Sequence, residues 1–143
     1  MKETHLKKLH NLQHKLYTQH VPFVPGIISR IIRILYSCEL PPSVVMGEGT
    51  KLVHNGLGVV IHQNAKIGKN CKIYQNVSIA GRNGRGVPVI GDNVEIGAGA
   101  CVLGGVIIGN NATVGAMACV ICDVPDDSTV VGIPARIVKK KET

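Results

Sequence analysis

Residues 89–120, VIGDNVEIGAGACVLGGVIIGNNATVGAMACV, keep a period of six. Ile90, Ile96, Val102, Ile108, Val114 and Val120 are its anchors. Four places after each anchor comes a small or β-branched residue: Val94, Ala100, Val106, Ala112, Ala118 and Val124. Gly follows the anchor at Gly91, Gly97, Gly109 and Gly115. A period of six fits neither a helix face nor simple strand alternation. It fits short flat β segments joined by corners, with the anchor pointing inward and Gly relieving crowding at the bend.

The same phase extends upstream. Ile61, Ile67, Ile73 and Ile79 form a second six-spaced group, followed by Ala65, Cys71 and Val77, and Leu40, Met46 and Leu52 form a third. Three faces make one coil of roughly eighteen residues, and stacked coils bury a continuous aliphatic column. An ordinary β-sandwich would not hold six-residue phase this long. The expected fold is an all-β solenoid, a parallel β-helix over residues 39–138.

The rest of the chain is short. Leu6, Leu9, Leu12 and Leu16 recur at helical spacing, and a second apolar helix is expected from Pro25 to about Cys38. Pro41 and Pro42 then exclude helix. Residues 1–38 therefore read as an N-terminal helical segment and 139–143 as a basic C-terminal tail.

Composition agrees. Of 143 residues, 45% are hydrophobic but only 3% aromatic, with 17 Gly, which suits a narrow core of small aliphatic side chains. The net charge of +7 is concentrated at the two ends. No basic–aromatic interleaving accompanies it, so nucleic acid is not expected as a partner, and an anionic small molecule is. Residues 27–36 are broken by Arg30 and Arg33 and are too short to span a bilayer. Five Cys, an odd number, without a secretory pattern at residues 1–17, point to a reducing cytoplasm. "CVIC" (residues 119–122) lacks the second pair of a structural zinc site, and no metal is expected. "GRNGRG" (81–86) lacks the Lys-Ser/Thr of a P-loop.

Function in a solenoid is expected where the phase breaks. Leu52 to Ile61 is a spacing of nine instead of six and holds "HNGLG" (54–58), and Ile79 to Ile90 is a spacing of eleven and holds "GRNGRGVP" (81–88). His54 is the one His inside a break, and imidazole is the side chain suited to deprotonating a hydroxyl near neutral pH. Glu39, fifteen residues upstream and slightly less than one coil away, is placed to orient it.

"HNGLGVVIHQNAKIG", "IYQNVSIAG", "PVIGDNVEIGAGACVLG" and "DVPDDSTVVGIPARIV" resemble the hexapeptide-repeat acyltransferases. More narrowly, they are similar to serine acetyltransferases and their relatives from polysaccharide clusters. The resemblance, from about Cys38 to Val138, implies a left-handed coil, against the general rule for crossovers. It implies acetyl-CoA as co-substrate, and maps the general base to His54 and the dyad acid to Glu39, where the family has Asp. It places CoA along a groove at Gly81, Ala98 and Ala116, with Arg136 and Lys139 near its phosphates. It implies a homotrimer whose active sites lie between subunits, acting on a small-molecule acceptor.

Transfer is then expected to be direct, with a backbone N–H near Gly81 stabilising the oxyanion and no acyl-enzyme. The acceptor-facing residues would be Val53, Asn55, Arg82, Arg85 and Val87. The family's Asp before the catalytic His is Val53 here, and its Arg-His pair before Pro is Gly86 and Val87. That loss leaves no evident anion for a serine ammonium. The expectation is therefore a sugar or sugar-linked acceptor, with serine as the alternative and a non-catalytic CoA-binding scaffold as the second.

Overall fold

The computed structural model describes residues 4–140. Two helices precede a parallel β-helix. Helix α1 spans His5–Thr18 and opens with Thr4, whose hydroxyl accepts from the Lys7 N–H at 3.3 Å. Helix α2 spans Val24–Tyr36, carries Pro25 in its first turn, and stops at Ser37 in the left-handed conformation. It therefore starts one residue earlier and ends two earlier than the sequence pattern suggested.

Leucine periodicity describes only part of α1. Leu6 is buried, but Leu12 faces solvent while His10 and Gln13 point inward. The Pro-Pro stretch explains this rotation. Its carbonyls lack ladder partners, and α1 supplies donors to them. Gln13 Nε2 donates to Leu40 O at 2.8 Å and to His10 Nδ1 at 3.0 Å. With Nδ1 accepting, His10 Nε2–H donates to Val44 O at 3.2 Å. His14 Nδ1 lies 2.7 Å from Pro42 O.

The coils are built from two- to five-residue strands: β1 (Val45–Met46), β2 (Lys51–Leu52), β3 (Val60–Ile61), β4 (Lys66–Ile67), β5 (Lys72–Ile73), β6 (Ser78–Ala80), β7 (Val89–Ile90), β8 (Glu95–Ile96), β9 (Cys101–Leu103), β10 (Ile107–Ile108), β11 (Thr113–Val114), β12 (Cys119–Val120), β13 (Ser128–Val131) and β14 (Arg136–Lys140). They stack into three sheets, β1-β4-β7-β10, β2-β5-β8-β11-β13-β14 and β3-β6-β9-β12. All ladders are parallel except β13 with β14, which is antiparallel. Glu39 begins the solenoid by bridging Val60. At the other end Lys139 pairs with Thr129, so the chain continues in a hairpin past the expected boundary at Val138.

The anchors fill the interior: Ile61, Ile73, Ile79, Ile96, Val102 and Ile108 are fully buried, as are Cys71, Val77, Ala100 and Ala112 from the second six-spaced set. At one corner Asx residues replace the turn's missing partners. Asp92 accepts from the Lys69 N–H, Asn110 from the Asp92 N–H, and Asp126 from the Asn110 N–H, at 2.7–2.8 Å. Asn70, Asn93, Asn111 and Asp127 beside them adopt positive φ of 54–59°, which short polar side chains tolerate. Asp126 and Asp127 thus close an Asx ladder.

Candidate active site

The first phase break is a 3₁₀ turn over Val53–Gly56. His54 (φ 53°, ψ 35°) and Asn55 (φ 55°, ψ 32°) are both left-handed, a conformation that costs L-residues roughly 1–2 kcal/mol each. Gly56 continues it at φ 69°, and a Cβ there would meet Cys38 Sγ and Leu6 Cδ2 at 3.0 Å. The bare backbone of Gly56 therefore tucks beneath α1, and the imidazole of His54 is left exposed to solvent. Strained residues of this kind concentrate at functional sites.

Register shows which corner the excursion leads into. Leu52 pairs with Ile73, Ile73 with Ile96 and Ile96 with Val114. Two residues past the last three lie Gln75, Ala98 and Ala116, one per coil, in a single corner column. One coil earlier Asn76 N–H donates to Leu57 O at 2.9 Å, so Leu57 heads the column and His54 stands in the excursion just before it. The backbone ties it together through Gly99 N–H to Gln75 O (3.0 Å) and Met117 N–H to Ala98 O (2.8 Å). The next coil ends the column at Gly132, two past Val130, in the GIPAR turn that leads to Arg136. So two of the site residues expected from sequence, Ala98 and Ala116, share one corner, and His54 lies in the turn that leads into it. Gln75 was missed. Its Oε1 is buried and has no hydrogen-bond partner.

The second break lies at the opposite edge of the β3-β6-β9-β12 sheet. After β6 the loop folds over the next coil: Arg85 N–H donates to Arg82 O, and Gly105 N–H to Arg85 O at 2.7 Å. Arg82 and Arg85 line a cleft of about 310 Å³ with Gly104, Gly105, Cys122 and Asp123. Val87 is half-buried and Gly81 exposed in this loop. Gln75 and Gly81 are six residues apart, about 20 Å at full extension. Within one copy the base and the arginine loop thus sit at two edges of one face.

Glu39 is engaged elsewhere. Its carboxylate lies 3.2 Å from Arg33 Nη1, and no hydrogen bond joins it to His54 among the described residues. Arg136 lines a second cleft of about 280 Å³ against Val130, Ala135 and Ile137, and this cleft meets the first at Cys122 and Asp123. Lys139 is exposed on β14. Burial, with a smaller push from Glu39, raises the Cys38 thiol to about 12, and burial also raises Cys71. Neither is a thiolate near neutral pH. All five cysteines are unpaired. Among the described residues no cluster of His, Cys, Asp and Glu could hold a metal ion.

Comparison with known proteins bears on this geometry. Residues 88–122 match the family described as bacterial transferase hexapeptide (six repeats). A serine acetyltransferase of Synechococcus elongatus is 42% identical over 132 residues, covering 90% of this chain and 54% of that protein. The chain is serine acetyltransferase-like in sequence and fold. A Brucella abortus serine acetyltransferase solved with coenzyme A superposes with a TM-score of 0.91 at 29% identity, over 96% of this chain and 56% of that one. A Neisseria gonorrhoeae serine acetyltransferase solved with serine gives 0.87 at 34% identity, over 92% and 55%. The coil is left-handed, as in those enzymes. This chain spans about half the length of the curated relatives it matches. The sugar acceptor expected from Val53, Gly86 and Val87 is overturned by these relatives, which are named for serine. The departures at those positions weighed less than identity along nine-tenths of the chain.

Proposed function

We propose that the chain acts as an acetyl-CoA-dependent serine O-acetyltransferase. The observation that carries this reading is the left-handed excursion that exposes His54 just before the corner column of Gln75, Ala98 and Ala116, in a chain 42% identical to a serine acetyltransferase. In this reading His54 accepts the proton of the serine hydroxyl, and the hydroxyl oxygen attacks the acetyl carbonyl. The C–S bond then breaks, and the imidazolium returns the proton to the leaving CoA sulfur. No covalent enzyme intermediate is needed. The thioester's pantetheine arm lies along Ala98 and Ala116, where small side chains let it approach the backbone. Its phosphates face Arg136 and Lys139. Gln75 Oε1 is an unpaired acceptor on the same path.

Glu39 orients His54 by exchanging its partner. The Arg33 side chain is 73% exposed, so the observed pair is a surface ion pair worth little, and the carboxylate is readily redirected. Arg82 and Arg85 supply cations for the serine carboxylate, delivered from a neighbouring copy, since both breaks lie on opposite edges of one face. The assembly in this reading is a homotrimer, and five unpaired thiols favour the cytoplasm.

The test is release of CoA thiol from acetyl-CoA with L-serine, for the unaltered chain and His54→Ala. Loss of roughly 10²–10⁴ in kcat is expected. Equal turnover by the variant, or none by either chain, refutes the reading.

A further inference from the structure

We propose that the α1–α2 hairpin is a docking surface for an anionic lipid bilayer. One side of α2 is committed to the protein: Pro25, Ile28 and Ile32 are buried, the two isoleucines in the core cluster that includes Leu6 of α1 and Leu40. Around the same helix Ile27, Ile31, Ile34 and Leu35 follow at helical spacing and remain exposed, Ile34 by 80% and Leu35 by 67%. Phe23, at the N-terminal end, is 85% exposed, more than any other large apolar side chain of the described residues. A folded chain rarely leaves so long an apolar stripe in water unless something covers it, a protein or a membrane.

Charge decides between these occupants. From residue 4 to residue 38 the sequence holds Lys7, Lys8, Lys15, Arg30 and Arg33 and no Asp or Glu. The first carboxylate beyond, Glu39, is paired with Arg33. Lys7 is turned back onto the carbonyls of Met46 and Gly47, but Lys8, Lys15 and Arg30 are exposed. Arg30 comes three residues after Ile27 and four before Ile34, so it edges the stripe. Tyr17, half-exposed, adds an interfacial aromatic. A helical hairpin carrying uncompensated cations beside an apolar strip matches a surface of anionic headgroups over acyl chains. No helix among the described residues is long and apolar enough to cross the bilayer, so the hairpin lies on it.

The experiment is co-sedimentation of the full chain with vesicles of phosphatidylcholine alone and of phosphatidylcholine mixed with phosphatidylglycerol, at low and high salt. Variants are Ile27→Ser with Ile34→Ser, and Arg30→Glu. All three positions are exposed, and circular dichroism checks that the fold is kept. Partitioning onto the mixed vesicles at least tenfold above the zwitterionic ones is expected, weakened by salt. Each variant should lose most of it, the double Ser variant at least tenfold. Equal binding to both vesicles, unchanged binding by the double Ser variant, or no binding at all overturns the proposal. So does a double Ser variant that sediments as a smaller particle than the unaltered chain, because the stripe is then a contact between copies.

Discussion

The buried His10 predicts an acid-sensitive step in stability that its own substitution should remove. His10 is 2% exposed between α1 and the Pro-Pro stretch. Burial, followed by the positive charges of Lys7 and His14, lowers its pKa from 6.5 to about 4, with the Val44 carbonyl opposing. The unfolded chain therefore binds a proton below pH 6.5 that the folded chain refuses until about pH 4. Stability contributed by the neutral imidazole is complete above that window and is lost as the pH falls through it. The full shift corresponds to at most ~3 kcal/mol. Linkage puts roughly 2 kcal/mol of that loss above pH 5, a sizeable share of a domain's usual 5–15 kcal/mol. Urea unfolding of the unaltered chain and His10→Gln, across a series of pH values from neutral to mildly acidic, reads the difference directly. Titrating groups remote from residue 10 are common to both chains and cancel. The stability gap should shrink by roughly 2 kcal/mol between pH 7 and 5. Parallel curves would mean that His10 accepts its proton without cost in the folded state, and that the reasoning is wrong.

Other consequences are simpler to read. Gly97→Ala places a Cβ 2.6 Å from Ala116 N and 2.9 Å from Gly115 C, backbone of the next coil that cannot move aside. Overpacking of this kind should cost about 1–3 kcal/mol in denaturant unfolding. Arg33→Ala removes an exposed ion pair, so stability should change by less than about 1 kcal/mol. If Glu39 serves His54, the same variant should keep serine acetyltransferase activity, whereas Glu39→Gln should lower kcat and alter its pH profile. An identical pH profile in Glu39→Gln would remove Glu39 from the mechanism.

The solenoid was legible because its core is one-dimensional. Each anchor such as Ile96 or Ile108 meets its equivalents one coil away, so a local period states a tertiary contact directly. The helices offered no such shortcut. Leucine spacing in α1 put Leu12 on the same apolar face as Leu6, Leu9 and Leu16, yet Leu12 is exposed, because the segment packed against α1 carries two prolines and carbonyls in want of donors. His10, Gln13 and His14 answer that need, and the helix turns its polar residues inward. Periodicity counts apolar residues, and cannot see a demand for hydrogen bonds raised by a stretch nearly thirty residues away.

The site divides in the same way. A break in phase marks where the chain leaves the coil, and His54 was found because it is the sole imidazole in one. Gln75 interrupts no phase, so position alone hid it. Yet the register that lines up Ala98 and Ala116 also fixes residue 75 in their column, beneath Leu57 and next to the excursion that carries His54, and a corner that holds Ala in the two later coils there holds a long amide. An amide oxygen kept from water without a partner is costly by about 1–3 kcal/mol, unless something else supplies the donor. In a corner column that adjoins the excursion carrying the proposed base, a bound substrate is the natural supplier. A chain that holds Gln75 there only for packing would tolerate Leu; one that holds it for a donor would not.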